Sequence, residues 1–324
     1  MGRCLVPACL RTRLRNSEPR PRGSGLLRSF LPIGVPALVA LSACSLQATT
    51  YMVTVAGLGG EQDYEQRFTL LANDTDKILK SGGTTDRVVE TLKGADATKA
   101  KLNATLSRVA SEAKAQDVFI LMLIGHGTFD GSEYKFNLPG PDISGTELAV
   151  ALNRIPATRQ LVVDMTSASG GVTTALKKDG RTVITATKSG MEKNATVFAR
   201  FWVEALRDPA ADTDKNEIVS AAEAFHYAQT KTAAFYTEQK RIATEHPQLE
   251  DQQKAATFAL VRYGGAALVI TDPAKRDLVS KKEEIENKID ALKFEKDLMS
   301  PEEYRRQISA LLLELAKTQE LIDK

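Results

Sequence analysis

The chain has 324 residues, a formal net charge of +2, 43% hydrophobic residues and 26% charged residues. The chain is longer than a single small domain, and its composition excludes a disordered protein. Its nearly neutral charge does not indicate the basic face that a nucleic-acid-binding protein presents. All three cysteines, Cys4, Cys9 and Cys44, precede the first globular pattern. The folded body therefore contains no disulfide, no thiolate zinc site and no cysteine nucleophile.

Residues 1–43 carry seven arginines and one glutamate, whereas residues 44–324 carry a net charge of −4. The basic stretch leads into an apolar run at 30–43 that is too short to span a bilayer, which is typical of an export signal. The string Leu41-Ser42-Ala43-Cys44 resembles a bacterial lipobox, in which the cysteine is lipidated. We therefore predict a protein of the bacterial cell envelope, anchored to a membrane through Cys44. The alternatives are ordinary cleavage nearby, for instance after Ala48, with secretion into the periplasm, and an apolar start that is not cleaved.

Apolar runs and helical periodicities alternate from Thr50 onward, which predicts an α/β fold with a mostly parallel sheet covered on both faces. The predicted strands are 50–57, 86–94, 117–125, 159–165 and 181–187. The predicted helices are 61–80, 98–114, 144–155, 171–178, 194–206 and 220–236. Residues 127–140 predict a β-hairpin, and residues 256–270 predict a strand or packed coil.

The composition changes after Pro273, where the chain becomes rich in lysine and glutamate and contains no glycine. Residues 273–324 therefore predict an antiparallel helical hairpin of coiled-coil type, with a new helix starting at Ser300-Pro301. Its apolar stripe is formed by Leu278, Ile285, Ile289 and Leu292 in the first helix and by Tyr304, Ile308, Leu311, Leu315 and Ile322 in the second. This hairpin is either a packing or spacer element or a surface for partner binding or self-association.

Two predicted strands end in residues that can carry chemistry. Gly125-His126-Gly127 follows the strand at 117–125, and Thr166-Ser167-Ala168-Ser169-Gly170-Gly171 follows the strand at 159–165. Parallel strands place their carboxyl ends at one edge of the sheet, where ligands bind. A histidine, small hydroxyl residues and close-lying backbone N–H groups are the parts of a nucleophilic hydrolase site.

The motifs IGHGTFDG and LVVDMTSASGG resemble the caspase-like fold, and most closely its legumain-type branch of cysteine peptidases. The resemblance covers residues 50–236 and implies a caspase-like three-layer sandwich within a domain at 44–272. It places His126 at the catalytic histidine position and, through the match of Ser169-Gly170, Ser167 at the position of the nucleophilic cysteine. The stretch 183–198 resembles the segment that helps to shape the substrate pocket in this family.

A serine in place of the cysteine changes the expected chemistry. A serine hydroxyl has a far higher pKa than a thiol and needs a close, oriented base, and only Asp130 and Asp164 lie near these motifs in sequence. We therefore predict a catalytically degenerate pseudo-peptidase that binds a peptide or protein. The alternative is an active hydrolase of peptide or ester bonds, in which Ser167 attacks, His126 shuttles the proton and the N–H groups of Gly127 and Ser167 hold the oxyanion.

Two other kinds of site are alternative interpretations of the glycine- and serine-containing segments. An α/β-hydrolase would use Ser169 as nucleophile and His246 as base, although the first glycine of its G-x-S-x-G motif is replaced by Ser167. A dinucleotide site at Gly57-Leu58-Gly59-Gly60 would need a third glycine where Gln62 stands, so a tight strand-to-helix turn is predicted there. We expect no organic cofactor and no nucleic-acid partner.

Residues 212–223 fit the ligand spacing of an EF-hand calcium loop. The predicted oxygen ligands are Asp212, Asp214, Asn216, the carbonyl of Ile218, Ser220 and the bidentate Glu223. Glu217 stands where a glycine usually adopts a left-handed conformation, which costs another residue about 1 kcal/mol or more. The loop predicts a structural Ca²⁺ site, and the alternative is an acidic turn between helices that caps the second helix through Ser220.

Overall fold

The computed structural model describes residues 48–81, 86–263 and 299–323, together with scattered residues between 275 and 292. The predicted export segment and the lipidation site Cys44 lie outside the described residues, as does the 264–270 part of the predicted strand at 256–270. In the described part of the chain, no helix is both long enough and apolar enough to cross a membrane.

The central sheet has six strands. They are β1 (Thr50–Ala56), β2 (Arg87–Leu92), β3 (Val118–Ile124), β7 (Arg159–Asp164), β8 (Arg181–Thr185) and β10 (Gln248–Leu249). Their order is β10-β8-β7-β3-β1-β2, and every pairing is parallel except that of the short edge strand β10. Strand β3 lies at the centre and is buried at every residue, which explains its uninterrupted apolar sequence.

Helices cover both faces of this sheet. They are α1 (Gln62–Ser81), α2 (Lys99–Glu112), α3 (Gly145–Asn153), α4 (Thr173–Leu176), α5 (Phe198–Ala205), α6 (Ala221–Glu238) and α7 (Gln252–Ala256). Alternate residues of each strand point to opposite faces, so Ile120 and Met122 pack with α1, α5 and α6, whereas Phe119 and Leu121 pack with α2, α3 and α4. The predicted α/β class and its three-layer sandwich with a mostly parallel sheet are therefore confirmed.

Two small antiparallel sheets complete the body. The predicted hairpin forms β4 (Gly127–Phe129) and β5 (Tyr134–Phe136), and β6 (Ile143–Ser144) adds a third strand. Strand β9 (Ile218–Ser220) pairs with β11 (Ala259–Arg262). The sequence did not predict β6, β9 or β10, because two or three residues carry no readable periodicity.

The C-terminal helix α8 spans Pro301–Asp323. The described residues between 275 and 292 are helical, and Ile285, Ile289 and Leu292 are buried. Lys275 donates from Nζ to the carbonyl of Ile322 at 2.9 Å, and Lys281 pairs with Glu314 at 3.1 Å. These contacts join an early residue of one helix to a late residue of the other, as the predicted antiparallel hairpin requires.

Candidate functional site

The two segments singled out in the sequence lie side by side. Strands β3 and β7 are neighbours, with Leu123 opposite Asp164, so the segments that follow them leave the same edge of the sheet. A β-carbon on Gly127 would stand 2.4 Å from the carbonyl oxygen of Ser167. Only glycine permits this close approach, and the prediction that the two strand ends meet is confirmed.

The hydroxyl of Ser167 is engaged by the backbone of Gly127. Its Oγ donates to the Gly127 carbonyl at 3.1 Å and accepts the Gly127 N–H at 3.1 Å. Ser167 is 2% exposed. The proposed nucleophile and a proposed oxyanion donor thus satisfy each other, because the N–H that would hold an oxyanion donates to the serine.

The His126 side chain packs against α1 rather than against Ser167. Its ring makes edge contacts with Tyr64 at 4.7 Å and Phe68 at 5.0 Å between centroids. Burial lowers the pKa of His126, and a hydrogen bond with the backbone of Gly59 opposes that effect. Within the described residues, the hydrogen bonds of Ser167 Oγ do not include His126.

Neither carboxylate that lies near the motifs in sequence orients His126. Asp130 is exposed, and its Oδ1 accepts the N–H groups of Ser132 and Glu133 within the hairpin turn. Asp164 is fully buried, and its Oδ1 accepts from the N–H and the Oγ1 of Thr166, at 3.1 and 2.7 Å. Asp130 and Asp164 therefore do not complete a triad with His126, and the carboxylates whose charge acts on its ring are Asp63 and Glu61.

Asp164 belongs to a buried polar network that the sequence analysis missed. The hydroxyl of Tyr134 lies 2.7 Å from Oγ1 of Thr166, so the network ties β7 to the small antiparallel sheet. Among the described residues, Asp164 Oδ2 has no hydrogen-bond partner. Burial raises the pKa of Asp164 to about 6, against the opposing hydrogen bonds from Thr166. The sequence signal that could have indicated this network is an aspartate at the end of an apolar strand.

The turn at 166–171 is packed against the loop at 187–192. The Ala168 N–H donates to the carbonyl of Glu192 at 2.7 Å, and Ser169 Oγ accepts the N–H of Thr187 at 3.1 Å. A β-carbon on Gly170 would stand 2.2 Å from the backbone nitrogen of Ser189. Ala168 has a φ of 56°, a strained left-handed value, and it is fully buried.

Ser169 and His246 are not brought together. Ser169 is fully buried and hydrogen-bonded to Thr187. The nucleophile of an α/β-hydrolase sits on a strained turn, but the residue of this turn with a left-handed conformation is Ala168. His246 Nδ1 instead lies 2.5 Å from Glu192 Oε1. The α/β-hydrolase interpretation of these residues is therefore wrong.

The glycines after β1 form the tight turn that was predicted. The Gly59 N–H donates to Glu65 Oε2 at 2.8 Å, and a β-carbon on Gly59 would stand 2.3 Å from the Glu65 nitrogen. This turn brings the backbone of Gly59 next to His126.

The acidic loop at 212–223 gathers three carboxylates. Ligand oxygens of Asp212, Asp214 and Glu223 all lie within 4.8 Å of one another. That separation fits a single Ca²⁺, whose oxygen ligands lie about 2.3–2.6 Å from the ion. Glu217 has a φ of 67°, the left-handed conformation expected at its position.

The same loop is also held by the protein itself. Asp212 accepts the N–H groups of Asn216 and Glu217, and Glu223 forms a reciprocal capping box with Ser220 at the start of α6. Glu223 Oε1 accepts from the N–H of Thr213 at 2.9 Å. The predicted cap through Ser220 is thus present, and Glu223 closes the loop onto the helix.

No family model and no curated protein matches this sequence. Solved structures with similar backbones include the following three. The protein GSU0716 from Geobacter sulfurreducens has a TM-score of 0.43 at 11% identity, over 67% of this chain and 100% of that one. The Drosophila initiator caspase Dronc has a TM-score of 0.39 at 10% identity, over 63% and 79%. Caspase-1 from Spodoptera frugiperda has a TM-score of 0.44 at 12% identity, over 66% and 89%.

Proposed function

We propose that this chain is a caspase-like, legumain-type pseudo-peptidase of the bacterial cell envelope that binds a peptide or protein without cleaving it. The observation that carries the proposal is the state of Ser167, which is 2% exposed and bonded in both directions to the Gly127 backbone. A serine becomes a nucleophile only when a neighbouring base takes its proton. The candidate base His126 packs against Tyr64 and Phe68.

The carboxyl edge of the sheet is the proposed binding surface. His126 is partly exposed there, and Leu58, next to Gly59 in the β1 turn, is 41% exposed. Leu58 directly precedes Gly59, whose backbone is hydrogen-bonded to His126, so this edge offers an extended peptide one apolar and one polar contact. The competing proposal, an active hydrolase using Ser167 and His126, requires both side chains to leave the positions described above.

A serine-reactive fluorophosphonate probe tests this proposal. We expect no labelling of the wild-type protein above that of Ser167→Ala, because the hydroxyl is buried and has no base. A subtilisin-type serine hydrolase in the same reaction shows that the probe is active. Labelling that is present in the wild type and lost in Ser167→Ala would establish the active hydrolase instead.

We further propose that residues 212–223 bind Ca²⁺, with Asp212, Asp214 and Glu223 as carboxylate ligands, Asn216 and Ser220 as side-chain oxygen ligands and Ile218 as the carbonyl ligand. The convergence of the three carboxylates supports the proposal. The ion would replace mutual repulsion among these groups with attraction, and would hold Asp212 and Asp214 next to Glu223 in the first turn of α6.

Calorimetric titration with CaCl₂ tests the calcium site. We expect binding heat and a raised Tm for the wild type, and at least a tenfold loss of affinity in Asp212→Ala, because a charged ligand is removed. The matched control is Asp74→Asn, on the surface of α1, which should leave binding unchanged. A wild-type protein that gives no calcium heat would refute the site.

Export, lipidation of Cys44 and self-association through the C-terminal hairpin also belong to the proposal. The basic and apolar pattern of residues 1–43 supports export and anchoring. Leu312 and Leu313 of α8 are 50% and 58% exposed, which supports a second apolar surface on the hairpin available to another copy.

A further inference from the structure

Two apolar side chains project from neighbouring loops of the body. Ile242 is 90% exposed and Met191 is 69% exposed, the highest values among the large hydrophobic residues that the structure describes. Ile242 lies in the segment between α6 and β10, and Met191 lies in the loop between β8 and α5. Single exposed apolar residues are common on soluble proteins, so the surroundings of these two decide their meaning.

The two loops are fastened to each other. His246 Nδ1 lies 2.5 Å from Glu192 Oε1, and the His246 N–H donates to Glu192 Oε2 at 3.2 Å. Met191 directly precedes Glu192, and Ile242 lies four residues before His246, a span of at most about 14 Å even when fully extended. The two apolar tips therefore lie on loops that are joined to each other, and we call this region the 191/242 surface.

Exposed basic residues surround both tips. They are Lys188, Lys193, Lys240 and Arg241. The carboxylates of the same loops are mostly engaged: Glu192 is bonded to His246, and Glu245 is 2% exposed and accepts the N–H groups of Val197 and Phe198 at the start of α5. Glu238, at the end of α6, remains exposed. Lys188 Nζ also lies 3.7 Å from Glu192 Oε1. The surface thus presents three further cations, Lys193, Lys240 and Arg241, against one exposed carboxylate.

We propose that the 191/242 surface docks on an anionic lipid bilayer. Ile242 and Met191 would enter the headgroup region, and the side chains of Lys193, Lys240 and Arg241 would meet lipid phosphates. Apolar tips beside lysine and arginine are the pattern of proteins that lie at a membrane interface. Each basic residue held near an anionic leaflet strengthens binding about fivefold. An acidic peptide would satisfy the cations but would leave two projecting apolar side chains in water.

This docking does not depend on lipidation of Cys44 or on peptide binding at the carboxyl edge of the sheet. It would orient the folded body against the membrane, whichever way the chain is tethered. The proposal and the proposed function can therefore fail separately.

Tryptophan fluorescence of full-length Ile242→Trp tests the docking. Trp202 is the chain's only tryptophan and is buried in the core, so its signal should stay constant. With phosphatidylglycerol–phosphatidylcholine vesicles, we expect a blue shift and quenching by brominated lipid in Ile242→Trp. Leu70→Trp, at a 60% exposed position on α1, should show neither. Met191→Trp gives a second reporter if Ile242→Trp folds poorly.

The charges are tested in the same assay. Adding Lys240→Glu and Arg241→Glu to the reporter should lower vesicle affinity at least tenfold, and raised salt should weaken binding. Binding to the vesicles without a spectral change in either reporter would overturn the proposal, because another surface, such as the basic segment 1–43, would then make the contact. A spectral change with poly-glutamate and none with vesicles would also overturn it, in favour of an acidic protein partner.

Discussion

Replacing Gly170 by alanine is expected to destabilise the protein by about 3 kcal/mol or more. The added β-carbon would stand 2.2 Å from Ser189 N and 2.4 Å from Lys188 C. Both atoms belong to the backbone, so neither can move aside as a flexible side chain would. The turn at 166–171 would have to separate from the loop at 187–192. Urea denaturation followed by circular dichroism measures the change in the free energy of unfolding.

Gly94→Ala is the matched control for this substitution. Gly94 has a φ of 53°, and no atom lies within 4 Å of the position of its β-carbon. The free energy of unfolding of Gly94→Ala should therefore fall only by the cost of placing alanine in a left-handed conformation, about 1 kcal/mol. A Gly170→Ala protein as stable as Gly94→Ala would mean that the turn and the loop are not packed together.

The second large effect concerns Asp164 and pH. Its pKa is raised to about 6 by burial, whereas an unfolded aspartate titrates near ~3.9. The folded protein therefore holds this proton more tightly than the unfolded chain, and its stability should fall as pH rises from about 4 to 6. The difference in pKa corresponds to about 3 kcal/mol that is present below this range and lost above it.

Asp164→Asn isolates this contribution, because an amide does not ionise and still offers an oxygen to Thr166. Relative to wild type, we expect its free energy of unfolding to decline by about 3 kcal/mol less between pH 4 and pH 7. Asp74→Asn, at a half-exposed side chain, should decline in parallel with the wild type. Parallel curves for Asp164→Asn and wild type would show that Asp164 is not buried as described.

The network around Asp164 also helps to hold the turn at 166–171 in place. Thr166 is fully buried, and its hydroxyl lies 2.7 Å from both Asp164 Oδ1 and the Tyr134 hydroxyl. Ser167 is bonded to Gly127, and Ser169 to Thr187. Each hydroxyl of the turn therefore has a structural partner, and together they fix the turn between β4 and the 187–192 loop.

The sequence predicted the layers of the fold well, for a physical reason. Strands such as 117–125 are continuous apolar runs because both faces of a central parallel strand are buried, and helices such as 220–236 show a 3.6-residue period. The predictions were less accurate where the elements are short or irregular. The helix predicted at 194–206 begins only at Phe198, and the helix predicted at 171–178 consists of a 3-10 turn followed by the single turn of α4.

The candidate site was predicted only in part. Strand order placed Gly127 beside Ser167, but sequence gives no direction for a side chain beyond the end of a strand. His126 turns toward α1 because Tyr64 and Phe68, one helical turn apart, offer it an aromatic pocket. The pair formed by His246 and Glu192 joins residues 54 positions apart, and no local pattern announces such a contact.

In the proposed function, this protein holds a peptide or protein at a hydrolase-like edge without cutting it. The most direct test incubates the protein with a random peptide library. The peptides that stay bound to the protein are then recovered and identified by mass spectrometry. We predict a retained subset of intact peptides, a loss of retention in Leu58→Asp, and normal retention in the matched surface variant Leu70→Asp. Cleaved peptides that disappear in both Ser167→Ala and His126→Ala would contradict the claim.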